Sequence, residues 1–91
     1  MTTVEKIATI LRQALAATHV EVEDESAQHA GHAGAASGGG HYRVTVVSSQ
    51  FEGKTPVARH RLVYDALAKE MRTEIHALAL TTLAPSQHKG N

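Results

Sequence analysis

The apolar residues of this chain switch between two periods along its length, and that switching restricts the fold to a mixture of helices and strands. Val4, Ile7, Ala8, Leu11, Ala14 and Leu15 recur at the three-and-four spacing of one helical face. Thr2 followed by Glu5 has the pattern of a capping box, which places the helix start at the extreme N-terminus. Val20 and Val22 then alternate with Glu21 and Glu23, predicting a short strand with one wet face. HYRVTVV, from His41 to Val47, repeats the alternation: Tyr42, Val44 and Val46 face one way, Arg43, Thr45 and Val47 the other. The helical period returns after Thr55-Pro56, where proline at the first helical position forfeits no needed hydrogen bond. Val57, His60, Val63, Tyr64, Leu67, Ala68 and Met71 are expected to form the inner face of this second helix. Beyond Thr73-Glu74 the alternation resumes, with Leu78 and Leu80 opposite Ala77, Ala79 and Thr81, and Pro85 ends this third strand.

Between the first two strands lie residues 26 to 40, SAQHAGHAGAASGGG, with five glycines and no large apolar side chain. This is expected to be a mobile, enlarged hairpin connection between an antiparallel pair, longer than such loops usually are. Phe51-Glu52-Gly53-Lys54 reads as a turn. The order helix, strand, strand, helix, strand predicts an α+β fold, a three-stranded sheet with helices packed on one face. One domain over residues 1–85 is expected, followed by a polar tail, 86–91, that frays.

Composition removes several function classes. Nine basic residues balance nine acidic ones, so no global field draws the chain to nucleic acid or to an anionic membrane. No apolar run reaches the ~18 residues of a spanning helix, and the N-terminus lacks the basic start and apolar block of a secretory signal. The expectation is a soluble, cytoplasmic protein. There is no cysteine, which excludes a disulfide, a thiol nucleophile and a self-sufficient thiolate-ligated metal or iron–sulfur site. Histidine is abundant, at positions 19, 29, 32, 41, 60, 76 and 88. A metal site built here would rest on imidazole or carboxylate, and a partner would complete it.

FEGKTPVARHRLVYDALAKEM followed by IHALAL resembles the signature of the BolA family. The resemblance is carried by Phe51 and Gly53, Arg59-His60-Arg61, Val63-Tyr64 and His76-Ala77-Leu78, with ESxxHAGHAG and HYRVTVVS resembling the family's first hairpin. It covers roughly residues 4 to 85. It implies a fold similar to class II KH domains, in the order α-β-β-α-β. It also implies a monothiol glutaredoxin partner and a 2Fe–2S cluster held between the two proteins, with glutaredoxin and glutathione supplying thiolates. The family's histidine at the start of the last strand corresponds to His76. Its loop ligand corresponds to His29 by the ESxxH pattern, with His32 as competitor.

Imidazole in place of thiolate alters cluster charge and raises its potential, as in Rieske-type centres. A strand-borne donor opposite a donor on a glycine-rich loop is workable geometry for it. The alternatives are a His76 that only hydrogen-bonds at a strand edge, and loop histidines that are merely solvated. His41 is a further candidate beside a structural role, His60 is expected to be a satisfied core histidine, and His19 and His88 read as incidental. Lys54, Arg59 and Arg61 form a basic group near a helix start. They could contact phosphates, in keeping with the transcriptional regulators described in the family, or partner Glu52 and Asp65. Overall neutrality and the lack of a G-x-x-G clamp weigh against that reading. No nucleophile stands beside a base, no pair of carboxylates occupies a credible cleft, and the glycine run at 38 to 40 precedes a strand rather than a helix. The sequence reading is therefore a non-enzymatic adaptor, monomeric or weakly dimeric alone.

Overall fold

A computed structural model describes residues 1–29 and 40–88. The glycine-rich stretch read as a mobile loop lies, from residue 30 to 39, outside the described residues, and His32 with it.

Helix α1 spans Thr3–Leu15. The Thr2 hydroxyl accepts from the Glu5 amide at 3.1 Å while the Glu5 carboxylate accepts from the Thr2 amide at 2.8 Å, so two otherwise orphaned donors are satisfied reciprocally. At its other end the Leu15 carbonyl accepts from the buried Ser48 hydroxyl at 2.6 Å, and Ala16 turns the chain with φ of 50°. Strand β1, His19–Asp24, pairs antiparallel with β2, Gly40–Val47, as the hairpin reading expects. A short 3₁₀ turn, Ser26–His29, leaves β1, and a second, Ser49–Phe51, follows β2.

Helix α2, Pro56–Ala66, begins at Thr55, whose hydroxyl accepts from the Ala58 amide at 3.2 Å. The single second helix expected from the sequence is divided at Leu67, after which α3 runs over Ala68–Thr73. Its expected inner face also needs correction. Val63 and Leu67 are fully buried, but Val57 and Tyr64 are 67% and 39% exposed, Ala68 is exposed, and His60 is half-buried rather than a core histidine. Leu62 and Ala66 take their place against the core. Apolar residues surround so much of α2 that its spacing is compatible with more than one inner face.

Strand β3, Ile75–Leu83, pairs parallel with β2, giving a mixed sheet in the order β1-β2-β3. The fold is α+β. Tyr42, Val44, Val46 and Ile75 bury one sheet face against Ile7, Leu11, Leu15, Val63 and Leu67 of the helices, with Phe51 closing the cluster. That burial of apolar surface is the main stabilising term. Of the tail expected to fray, residues 89–91 lie outside the described residues, while Gln87 and His88 make contacts with the fold. Gln87 Oε1 accepts from Arg59 Nη1 at 2.7 Å and from the Ala84 amide at 2.9 Å, and the His88 ring rests beside that of His19.

Candidate metal centre

The parallel ladder of β2 and β3 is irregular at its first step. Gly40 pairs with Ile75 and His41 pairs with Ala77, so β3 carries one residue, His76, with no counterpart. A bulge of this kind re-aims a side chain and is favoured near functional sites. Here it leaves His76 exposed, with its ring centroid 5.2 Å from that of His41 and the planes inclined at 48°. The sequence placed His41 only as a secondary candidate. The structure sets it directly beside His76, which strand alternation gives no means of foreseeing.

Close packing defines this end of the sheet. A Cβ on Gly40 would lie 2.5 Å from ring atoms of Tyr42, so the Tyr42 ring occupies the space any larger residue would need. The Gly40 amide donates to the Glu74 carbonyl at 3.0 Å, fixing the strand start against the chain that leads into β3. The Ser26 hydroxyl accepts from the His41 amide at 3.1 Å, and the Glu25 amide donates to the His41 carbonyl at 2.8 Å. The turn Ser26–His29 is thereby anchored to the strand that carries His41, and His29 is that turn's last residue. Hydrogen bonds from the Ser26 hydroxyl and amide hold the Asp24 carboxyl below its ordinary range. Glu25 pairs with Arg43 at 3.0 Å, and both line a depression shared with His41, Ala77 and Leu78.

His41 and His76 thus stand together, and His29 ends a segment tied to the same corner. Among the described residues no three histidine, aspartate or glutamate side chains form a group able to hold a metal ion. Of His41 and His76 only His76 is exposed, so its imidazole is the one presented outward, and the chain supplies no thiolate. This donor set suits a shared centre whose remaining ligands come from elsewhere, since imidazole can replace thiolate on iron.

The basic residues divide differently. Arg59 is built into the fold: it donates to the carbonyls of Lys54 at 3.0 Å and Thr82 at 3.1 Å, binds Gln87, and lies 5.9 Å above the Phe51 ring. Its partners are backbone and amide oxygens rather than the carboxylates of Glu52 or Asp65. Lys54 and Arg61 are exposed. Val57, His60, Arg61 and Tyr64 line a surface depression on α2, and Tyr64 Oη donates to the Leu78 carbonyl at 3.3 Å. That contact makes the apolar stripe of α2 continuous with the strand that carries His76.

The sequence profile of the BolA-like protein family matches residues 11–87. The chain belongs to the BolA family. It is 46% identical over 81 residues to mouse BolA-like protein 1, covering 89% of this chain and 57% of that protein. It is 41% identical over 86 residues to the DNA-binding transcriptional regulator BolA of Escherichia coli, covering 94% and 79% respectively. This BolA chain spans about three-fifths of the length of its mammalian relatives. Among solved structures it superposes on the BolA domain of SufE1 from Arabidopsis thaliana with a TM-score of 0.84 at 37% identity, over 97% of this chain and 98% of that one. Among the described residues, no helix is long and apolar enough to cross a membrane.

Proposed function

We propose that this BolA protein is a non-enzymatic adaptor that docks on a monothiol glutaredoxin and lends histidine to a bridging 2Fe–2S cluster. The observation that carries the reading is the bulge at His76, which presents an exposed imidazole beside His41 at the sheet end where the His29 turn is anchored. His76 is the strand ligand, and His29 or its neighbour His32 the loop ligand. Thiolates must come from glutaredoxin and glutathione, because the chain has no cysteine. The exposed stripe of Val57 and Tyr64 adjoins β3 and supplies apolar area for the docking partner. An adaptor of this kind would act in cluster trafficking or iron regulation, in the cytoplasm.

The test is anaerobic reconstitution with a monothiol glutaredoxin, glutathione, iron and sulfide, followed by visible absorption and circular dichroism. A heterodimer spectrum that differs from that of the glutaredoxin homodimer, and that changes with His76→Ala, is the expected result. His29→Ala and His32→Ala identify the loop ligand. No complex and an unchanged spectrum would overturn the reading.

A second reading, DNA binding, is favoured by the Escherichia coli relative's description and by the exposed cations Lys54 and Arg61. It has less support, because Arg59 is engaged by the fold and the chain carries no net charge. Retention on duplex DNA that weakens steeply with salt, and that Lys54→Ala and Arg61→Ala reduce, would establish it.

A further inference from the structure

We propose a second transition-metal site, independent of the first, formed by His19 and His88 with Glu21 as its positioning residue. The two imidazoles come from opposite ends of the sequence, yet their ring centroids stand 4.7 Å apart with the planes inclined at 30°. Two imidazoles on one divalent ion, each about 2.0–2.1 Å from the metal, have centroids roughly 4.5–5.2 Å apart for ligand angles between square and tetrahedral. The observed spacing falls in that window.

Neither ring is placed by accident. His19 opens β1, where its position is set by pairing with Val47. His88 ends the 3₁₀ turn Pro85–Gln87, and its amide donates to the Pro85 carbonyl at 3.2 Å. Gln87 in turn is held by Arg59 and by the Ala84 amide. Both histidines are half-buried, so their rings retain access to solvent.

The carboxylate of Glu21 gives the pair its chemistry. Glu21 Oε2 lies within hydrogen-bond distance of His19 Nε2. A neutral His19 that donates from Nε2 keeps the lone pair on Nδ1, and a carboxylate on the far nitrogen makes an imidazole a better ligand. This carboxylate–histidine arrangement is the usual outer support of a histidine-bound metal. Imidazole donors with water in the remaining positions suit Zn²⁺, Ni²⁺ or Cu²⁺ rather than Mg²⁺ or Ca²⁺. Bound there, the ion would staple the residues after β3 to β1.

His19 pairs with the last residue of β2, whereas His41 lies near its first, so the two imidazole pairs sit at opposite ends of the sheet. Strand rise separates those ends by roughly 20 Å, and one ion cannot serve both.

The experiment is a Zn²⁺ titration of the full chain, read by calorimetry and by ¹H–¹⁵N spectra of the histidine ring nitrogens, with thermal melts alongside. The expected result is that the His19 and His88 ring signals move together and saturate at one equivalent. His19→Ala and His88→Ala each remove this event, while His76→Ala leaves it intact. Glu21→Gln weakens it about tenfold. Zinc raises the melting temperature of the wild type but not of His88→Ala, as binding linkage requires. Ring signals of His19 and His88 that stay fixed through millimolar zinc would overturn the proposal, and the pair would then be an offset stack only. Because His76→Ala is the control, failure here is separable from failure of the cluster reading.

Discussion

Lys6 Nζ lies 2.7 Å from Glu74 Oε2 and joins side chains 68 residues apart, while the Thr3 hydroxyl donates to the other carboxylate oxygen at 2.9 Å. The first turns of α1 are thus fastened to the residue that leads from α3 into β3. The Lys6 hydrogen bond, with that from Thr3, holds the Glu74 carboxyl below its ordinary range. A carboxyl depressed in the folded state contributes stability above its unfolded pKa and loses it as pH falls through the lower folded value. Glu5, lowered by hydrogen bonds from the Thr2 amide and hydroxyl, adds in the same direction. Chemical denaturation across the acid range should therefore show stability falling below the ordinary carboxylate value, with a shallower fall in Glu74→Gln. At neutral pH that variant should be less stable than wild type by the same modest amount, since the pair is partly exposed and screened, and the two should converge in acid.

Arg59→Lys should destabilise the fold by about 1–3 kcal/mol, since a lysine cannot reproduce a guanidinium that spans three acceptors over an aromatic ring. Lys54→Ala and Arg61→Ala, at exposed positions, should each stay within about 0.5 kcal/mol of wild type in urea unfolding. Equal losses in all three would mean that the contacts of Arg59 to Lys54, Thr82 and Gln87 carry no stability.

Much of this architecture is legible in the sequence, for identifiable reasons. Both N-terminal caps follow from Thr2, Glu5, Thr55 and Pro56, whose side chains act within one turn. The strands follow from alternation, but alternation is the same in parallel and antiparallel ladders, so the parallel pairing of β2 with β3 leaves no local mark. The bulge at His76 is likewise a property of two strands together, and with it the approach of His41. On α2, Val57 and Tyr64 satisfy the helical period as well as Val63 does, and only the folded chain decides which face is inside. The docking of His88 depends on the bond from Arg59 to Gln87, a polar long-range contact that hydrophobic pattern does not encode.

Gly40→Ala should distort the candidate centre itself. The new methyl would sit 2.5 Å from the Tyr42 ring, and Tyr42 is only 8% exposed, so ring or strand must shift. Overpacking of this sort costs about 1–3 kcal/mol. The shift falls next to His41, so the ring resonances of His41 and His76 should move in this variant while those of His19 and His88 stay in place. Unchanged His41 and His76 signals would show that the corner tolerates the methyl without rearrangement.

Docking and ligation should separate in two variants. Tyr64 is anchored by its hydroxyl to the Leu78 carbonyl and presents the rest of its ring to solvent beside Val57. If glutaredoxin covers that stripe, Tyr64→Ala removes aromatic contact area from the interface, a loss of about 1–2 kcal/mol, or roughly tenfold in affinity. The loss should appear in the apo heterodimer and in the cluster-loaded one alike, because the contact involves no metal. His76 is exposed on the bulge and bears no core contact, so His76→Ala should leave apo affinity within about twofold. The same variant should change the circular dichroism of the loaded complex, where one iron would lose its imidazole. Calorimetry of the apo proteins and dichroism of the reconstituted pair read the two effects separately. If His76→Ala weakened the apo complex as much as Tyr64→Ala, His76 would be an ordinary interface residue, and the ligand role would have to rest on the loop histidines alone.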